Sequence, residues 1–308
     1  AMKKLSRSVY TPISNLDKKI LRRLSDNDPS LVRIVFSSRN LGSPGVRALS
    51  RALSENTCLR ELDLSSNAIG SEGARCLAAL LQHQTNNMIA SRNMSEESAG
   101  GITTVVLGDN NLRDAGVTIM AEALASNVLL EALCIDDNFI GAAGLALLAA
   151  ALKQNSKLKR LHIHHNSFQS LASLITCTFD KRSLNSVSES NHTLRHVFLN
   201  CGYSYECEEL EAVLSINRMG KVEARRTKLA LFLGEDLRGL LGMDLDHKLL
   251  PALLGILAPQ GHTSTLFRVM KHLSSEILSF RGLNRGHVLR SDDPMNAEDL
   301  LGIAVKHN

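Results

Sequence analysis

A unit that recurs at a nearly fixed step constrains this chain more than any other feature of its sequence. Its best-formed copy runs from Leu59 to Gly73, Leu-Arg-Glu-Leu-Asp-Leu-Ser-Ser-Asn-Ala-Ile-Gly-Ser-Glu-Gly. Equivalent units begin at Leu31, Leu59, Ile102, Leu130, Leu158 and Leu194, in steps of 28, 43, 28, 28 and 36 residues. Such a period marks a stack in which each unit is one supersecondary element that hides its apolar face against its neighbours. The first, fourth and sixth positions are apolar throughout: Leu31, Ile34, Phe36; Leu59, Leu62, Leu64; Ile102, Val105, Leu107; Leu130, Leu133, Ile135; Leu158, Leu161, Ile163; Leu194, Val197, Leu199. Alternation at the fourth and sixth positions predicts a short strand, and the later positions of the unit predict a turn and then a helix.

The ninth position holds Asn67, Asn110, Asn138 and Asn166. A side-chain amide there can donate to and accept from backbone groups left unpaired where the strand bends into the loop, so stacked units are expected to form an asparagine ladder. Arg39 and Gly202 replace it in the first and last units, which have one neighbour each. Gly45, Gly73, Gly116 and Gly144 open the helical segments, and Ala-rich runs such as 144–152 let those helices approach the strands closely.

The pattern LxxLxLxxNxIGxxGAxxLAxAL resembles the leucine-rich repeats of the ribonuclease-inhibitor type, over about Leu31 to Ile216. The resemblance implies an α/β solenoid, with a curved parallel sheet inside, helices outside and helical N- and C-terminal caps. It further implies a scaffold or adaptor that binds a protein partner through the concave face. Repeats of this type also occur in Ran GTPase-activating proteins and in nucleotide-sensing receptors. A GTPase-activating regulator is therefore the alternative function, although the tail here is mixed in charge where those activators end in acid. For the receptors, Gly220-Lys221 lacks the rest of a phosphate-binding loop.

The expected organisation is an N-terminal helical cap over 1–30, repeats over 31–216, a helical C-terminal cap over 217–280 and a tail over 281–308. Apolar residues Ile13, Leu16, Ile20, Leu21 and Leu24 fall at helical spacing, with Ser14 and Asp17 placed for a capping box. The last repeat helix is expected at 206–216, followed by helices around 221–233, 247–257 and 263–273, with Arg225 and Arg226 on a solvated face. The long steps are explained by insertions near 86–101 and 180–190, read as loops leaving one rim.

Side chains alternate along a strand, so the third, fifth and seventh positions point away from the core. On that face the candidate partner-binding residues are Arg33, Glu61, Asp63, Thr104, Asp109, Asp136, Arg160, His162, His164, His196 and Phe198. The middle of the face is acidic and its later part is basic or protonatable. Cys134, Asp136, His162 and His164 are chemically suitable zinc ligands, although their spacing matches no established zinc motif. The alternative is a polar patch whose histidines pair with Asp136 and serve as a pH-linked sensor.

Composition narrows the remaining classes. Lys plus Arg number 35 against 31 for Asp plus Glu, and Trp is absent with aromatics at 4%. Neither a concentrated basic field nor a set of stacking platforms is present, so nucleic acid is not an expected partner. Six dispersed cysteines form no CxxC pair and read mostly as small apolar fillers of a reducing compartment. No apolar run is long enough for a transmembrane segment, and the first residues are polar and basic, so a cytoplasmic or nuclear location is expected. No HExxH, GxSxG or GxGxxG occurs. The expected function is non-enzymatic binding that needs no cofactor, and oligomeric state is left open.

Overall fold

The computed structural model describes residues 15–91, 100–199 and 205–235. Six three-residue strands, β1 (Arg33–Val35), β2 (Glu61–Asp63), β3 (Thr104–Val106), β4 (Ala132–Cys134), β5 (Arg160–His162) and β6 (His196–Phe198), form one parallel sheet in chain order. Between them run α2 (Gly42–Leu53), α3 (Gly70–Ala90), α4 (Arg113–Ser126), α5 (Ala142–Gln154), and the short pair α6 (Ala172–Thr178) and α7 (Leu184–Glu189). Helix α1 (Asn15–Ser25) precedes the sheet, and α8 (Tyr205–Asn217) and α9 (Lys221–Glu235) come after it. The expected helices at 247–257 and 263–273, the tail, Ser14 and Gly202 lie outside the described residues. No described helix is long and apolar enough to cross a membrane.

The register is unshifted from strand to strand, with Ile34, Leu62, Val105, Leu133, Leu161 and Val197 side by side. The first five are buried, as are Phe36, Leu64, Leu107, Ile135 and Ile163 two positions on. Against them lie Val46, Leu49 and Leu53 of α2, Leu77 and Leu81 of α3, Met120 and Leu124 of α4, and Leu145, Leu148 and Leu152 of α5. Each such side chain contributes about 1.5–3 kcal/mol on leaving water, but only while the next unit remains in place to cover it. Glycine at the fourth helical residue allows the apolar eleventh-position side chain to tuck under the helix start. A Cβ on Gly73 would sit 2.1 Å from Cγ2 of Ile69.

Two rows of amides, buried except for the half-buried Asn166, fix the spacing of the stack. In the first, Asn138 donates through Nδ2 to the carbonyls of Leu107 (2.8 Å) and Asp136 (2.7 Å), while its Oδ1 accepts from the N–H groups of Asn110 and Leu112, both at 3.1 Å. Asn110 does the same for Asn67 and Ile69, Asn67 for Arg39 and Leu41, and Asn166 for Asn138 and Ile140. The asparagine backbone also takes part: the carbonyls of Asn67, Asn110 and Asn138 accept from the N–H groups of Gly42, Gly70 and Arg113, where the preceding unit's helix begins. Those helix starts have no side-chain cap, and the next unit's carbonyl satisfies a donor that a helix N-terminus leaves free.

The second row lies where helices lead back into strands, and the repeat pattern did not reveal it. Asn56, Asn127, Asn155 and Asn191 stand three residues before Leu59, Leu130, Leu158 and Leu194, and all four are buried. Asn155 donates to the carbonyls of Leu124 (2.6 Å) and Asn127 (3.1 Å) in the preceding unit and accepts from Lys157 and Leu158. Asn191 repeats this with Leu152, Asn155, Thr193 and Leu194. In the third unit the post is held by Gln84, which donates to Leu53 (3.0 Å) and Asn56 (3.2 Å) and accepts from Ile102 (3.1 Å). The reason is local: α3 runs on to Ala90, five residues into the stretch read as a loop insertion. Position 84 is therefore still helical, and the extra methylene of glutamine supplies the reach.

The second long step is likewise more than a loop. Within it α7 buries Leu184 and Val187, and the 1%-exposed Asp180 is held by Lys153 (3.0 Å) and Arg182 (2.6 Å). Helix α7 packs on α9, where Arg225 donates through Nε to Oγ of Ser188 (2.9 Å) and through Nη2 to the same atom, so this arginine is not on a solvated face. Lys228 of α9 is fully buried and donates to the carbonyls of Thr178 (2.5 Å) and Asn191 (2.9 Å) and to Oδ1 of Asn217 (2.6 Å). It closes the second row, since Asn217 in turn donates to Asn191 and Leu194.

The row makes a specific prediction. Gln84→Asn, conservative in chemistry but one methylene short, strands buried carbonyl and N–H groups and lowers unfolding free energy by about 1–3 kcal/mol. Urea denaturation of the variant beside the parent measures the difference, and an unchanged midpoint would show that the row carries no strain of register.

Candidate functional site: the open sheet face

The face of the sheet turned away from the core is built in rows, because an unshifted parallel register places equivalent positions side by side. The first row reads Arg33, Glu61, Thr104, Ala132, Arg160, His196, and the second Val35, Asp63, Val106, Cys134, His162, Phe198. Arg33, Val35, Arg160 and Phe198 are exposed, and Glu61, Asp63, Thr104, Val106, Cys134, His162 and His196 are half-buried. Ala132 alone is buried, since its methyl lies between Thr104 and Arg160 on the adjoining strands.

The charged groups of this face divide by what they already hold. Asp63 accepts through Oδ1 from N–H (2.9 Å) and Oγ (2.6 Å) of Ser65, closing its own turn. Asp136 accepts from the His164 N–H (2.6 Å) through one oxygen and from the Cys134 thiol (3.0 Å) through the other. Both carboxylates are thus engaged in shaping the strand ends. Arg33 pairs with Glu61 across the first two strands at 3.1 Å, an exposed pair of small energetic worth. Asp109 lies in the loop beside Asn110, with its backbone in the left-handed region at φ +54°, on the rim of the face.

The histidines gather around an aromatic side chain. His162 stacks on Phe198 with ring centroids 4.0 Å apart and planes 19° from parallel, and His196 lies 6.1 Å from the same ring. His164 is 6.4 Å from His162 and 6.1 Å from His165, whose Nδ1 is 3.4 Å from Asp137. Burial holds His162 below the usual imidazole range, against the pull of Asp136. Its ring therefore presents a neutral, flat surface at neutral pH.

Cys134 and His162 are direct register partners, and Asp136 reaches His164, but the four do not converge as a coordination set. Among the described residues no group of three or more His, Cys, Asp or Glu side chains could hold a metal ion. The Cys134 thiol is spent on Asp136, and one face of His162 is covered by Phe198. Burial, reinforced by the hydrogen bond to Asp136, pushes the Cys134 thiol up to about 12. It stays protonated at neutral pH, which removes the thiolate that nucleophilic chemistry requires. Cys58, Cys76 and Cys177 are also free thiols, whereas Cys207 in α8 is disulfide-bonded and departs from the reading of the cysteines as fillers.

One rim residue escaped the pattern. Phe139 is 63% exposed and stands at φ +55°, at a position filled by Asn40, Ala68 and Asn111 in earlier units, all with positive φ. The loop geometry is common to the first four units, and among these the bulky aromatic is peculiar to this one. The tenth position of the aligned repeats carries that signal, beside Asp137.

A scan against protein families matches residues 55–78 to the family described as Leucine Rich repeat. Among solved structures the fold is similar to leiomodin-1 actin-binding site 2, at 16% identity and a TM-score of 0.41, covering 70% of this chain and 96% of that one. It is also similar to the tropomodulin C-terminal domain of Caenorhabditis elegans, at 12% identity and a TM-score of 0.42, covering 68% and 97%. A search of curated proteins gives no match. The family match falls on the best-formed of six stacked strand-and-helix units, each with its apolar fourth and sixth positions turned inward, and on these grounds the chain has a fold of the leucine-rich-repeat type.

Proposed function

We propose that this chain is a non-enzymatic protein-interaction module that takes its partner on the open sheet face. The observation that carries the reading is the contrast between the two sides of one sheet. The inner side is closed by aliphatic side chains, whereas the outer side presents polar and aromatic side chains with a change of charge along it. Glu61 and the acidic rim near Asp109 and Asp137 lead to Arg160, His196 and the His162–Phe198 stack. A partner carrying opposite patches in the same order is steered and registered by such a surface, and Phe198 offers an anchor of the kind that dominates binding energy. The shallow face with a protonated Cys134 supports binding without catalysis, and the module needs no cofactor for it.

The groups best suited to test this are those whose side chains do not hold backbone N–H groups, which excludes Asp63 and Asp136. Partner captured from the source organism by the parent chain is expected to bind Arg160→Glu at least about tenfold more weakly, with Tm moved by less than about 2 °C. Glu61→Lys is expected to act in the same direction at the acidic end. Equal binding by both variants would move the site to the rim or beyond the described residues. In the same preparations, acceleration of GTP hydrolysis by a small GTPase would favour the GTPase-activating alternative over the module.

A further inference from the structure

The end of the stack holds two buried titratable groups that the sheet face does not use. His192, between α7 and β6, is 5% exposed. Its Nε2 lies 3.2 Å from the carbonyl of Ser188, where it donates, and its Nδ1 has no hydrogen-bond partner. A few residues away in space, Lys228 of α9 sits in its cage of three oxygens, and Arg225 of α9 binds the side chain of the same Ser188. The three cations that bear on His192 all belong to α9: Lys228, Arg225 and Lys221.

The other elements supply no counter-charge. From α6 comes the fully buried thiol of Cys177, pushed by burial up to about 12 and therefore neutral. From α8 comes the uncharged amide of Asn217. Asp180, ahead of α7, is already bonded by Lys153 of α5 and by Arg182. Among the described residues no hydrogen bond or ion pair joins His192 or Lys228 to a carboxylate. A proton added to His192 thus enters an apolar site beside a buried ammonium, with its second nitrogen facing no acceptor.

We propose that α9 is an acid-released latch: protonation of His192 undocks α9 from α7 and α8 and uncovers the apolar end of the stack. The parts are arranged for this. Helix α9 packs on α7 and α8, and it carries every cation that opposes the proton, so its departure relieves burial and repulsion together. Undocking frees Ala224, Leu229 and Phe232 of α9 from the buried Leu184, Val187 and Val213 that α7 and α8 present. Burial, then Lys228, holds the docked imidazole down at about 4 against an ordinary 6.5. Because its docked pKa is the lower one, the His192 contribution to docking is at full strength above about pH 6.5 and is lost as pH falls towards 4. Lys228, pulled down to about 7 by burial, is charged in both states throughout that window and adds no slope there.

Hydrogen exchange of the full chain tests the latch. After correction for intrinsic exchange, protection of amides in 221–235 is expected to fall by about 15-fold between about pH 6.5 and pH 5, where Lys228 adds almost nothing, while α4 and α5 hold theirs. In His192→Gln, which keeps a neutral donor towards Ser188, the drop is expected to shrink to less than about threefold. The His192 ring signal in the parent, followed by NMR, gives an independent reading and is expected to titrate only together with the loss of α9 protection. Unchanged α9 protection, an equal drop in the variant, loss in α4 and α5 in step with α9, or titration of His192 near its ordinary value while α9 stays protected would each overturn the proposal.

Discussion

Everything in this architecture depends on buried amides that reach from one unit into the one before it. Strands of three residues offer few ladder hydrogen bonds, and their side chains alone do not fix the distance between units. Asn67, Asn110, Asn138 and Asn166 on one edge, with Asn56, Gln84, Asn127, Asn155 and Asn191 on the other, pin each unit at both ends of its strand. Each amide satisfies backbone groups that a bend would otherwise strand in an apolar interior, where an unmet group costs about 1–3 kcal/mol. The rows therefore specify register more than they add net stability. An unshifted register in turn places Arg160 beside His196 and His162 beside Phe198.

The ends of such a stack must be finished differently, because a unit without a neighbour leaves its amide row open. At the first unit Arg39 replaces asparagine, there being no earlier strand among the described residues for a side-chain amide to reach. At the other end the second row runs from Asn191 to Asn217 and terminates on the ammonium of Lys228. A lysine gives three donors to three oxygens at the cost of burying a charge, which neighbouring carbonyl dipoles offset in part. That choice makes the C-terminal end the part of the described structure most exposed to changes in protonation.

The strands, their order and the side that faces the core were legible in the sequence, because aliphatic residues at the first, fourth and sixth positions recur in every unit. The second amide row recurs three residues before four of the six units, at Asn56, Asn127, Asn155 and Asn191. It went unread because Gln84 breaks the identity of the residue, and the 43-residue step breaks its distance from Ile102. Both breaks share one cause, the continuation of α3 to Ala90. The step at 180–190 was read as a loop because its apolar positions, Leu184 and Val187, are too few to show a period, and their partner α9 lies some forty residues on in the chain. At the candidate site the sequence located His162 beside Cys134, since register alone decides that. It did not show that Asp63 is engaged in its own turn, that Asp136 is held by the His164 N–H and the Cys134 thiol, or that Phe198 covers His162, because these depend on side-chain directions no spacing encodes.

The central claim is that the amide rows, more than the short strands, hold the units in register. Native-state hydrogen exchange at single-residue resolution tests it most directly, through the loop N–H groups that asparagine side chains accept from: Asn67, Ile69, Asn110, Leu112, Asn138 and Ile140. These amides belong to bends that would exchange rapidly if local fraying opened them. The expected result is protection within about tenfold of the strand-end amides of Leu64, Leu107 and Ile135, with exchange only through large-scale opening. Exchange of the loop amides orders of magnitude faster than those strand amides would contradict it.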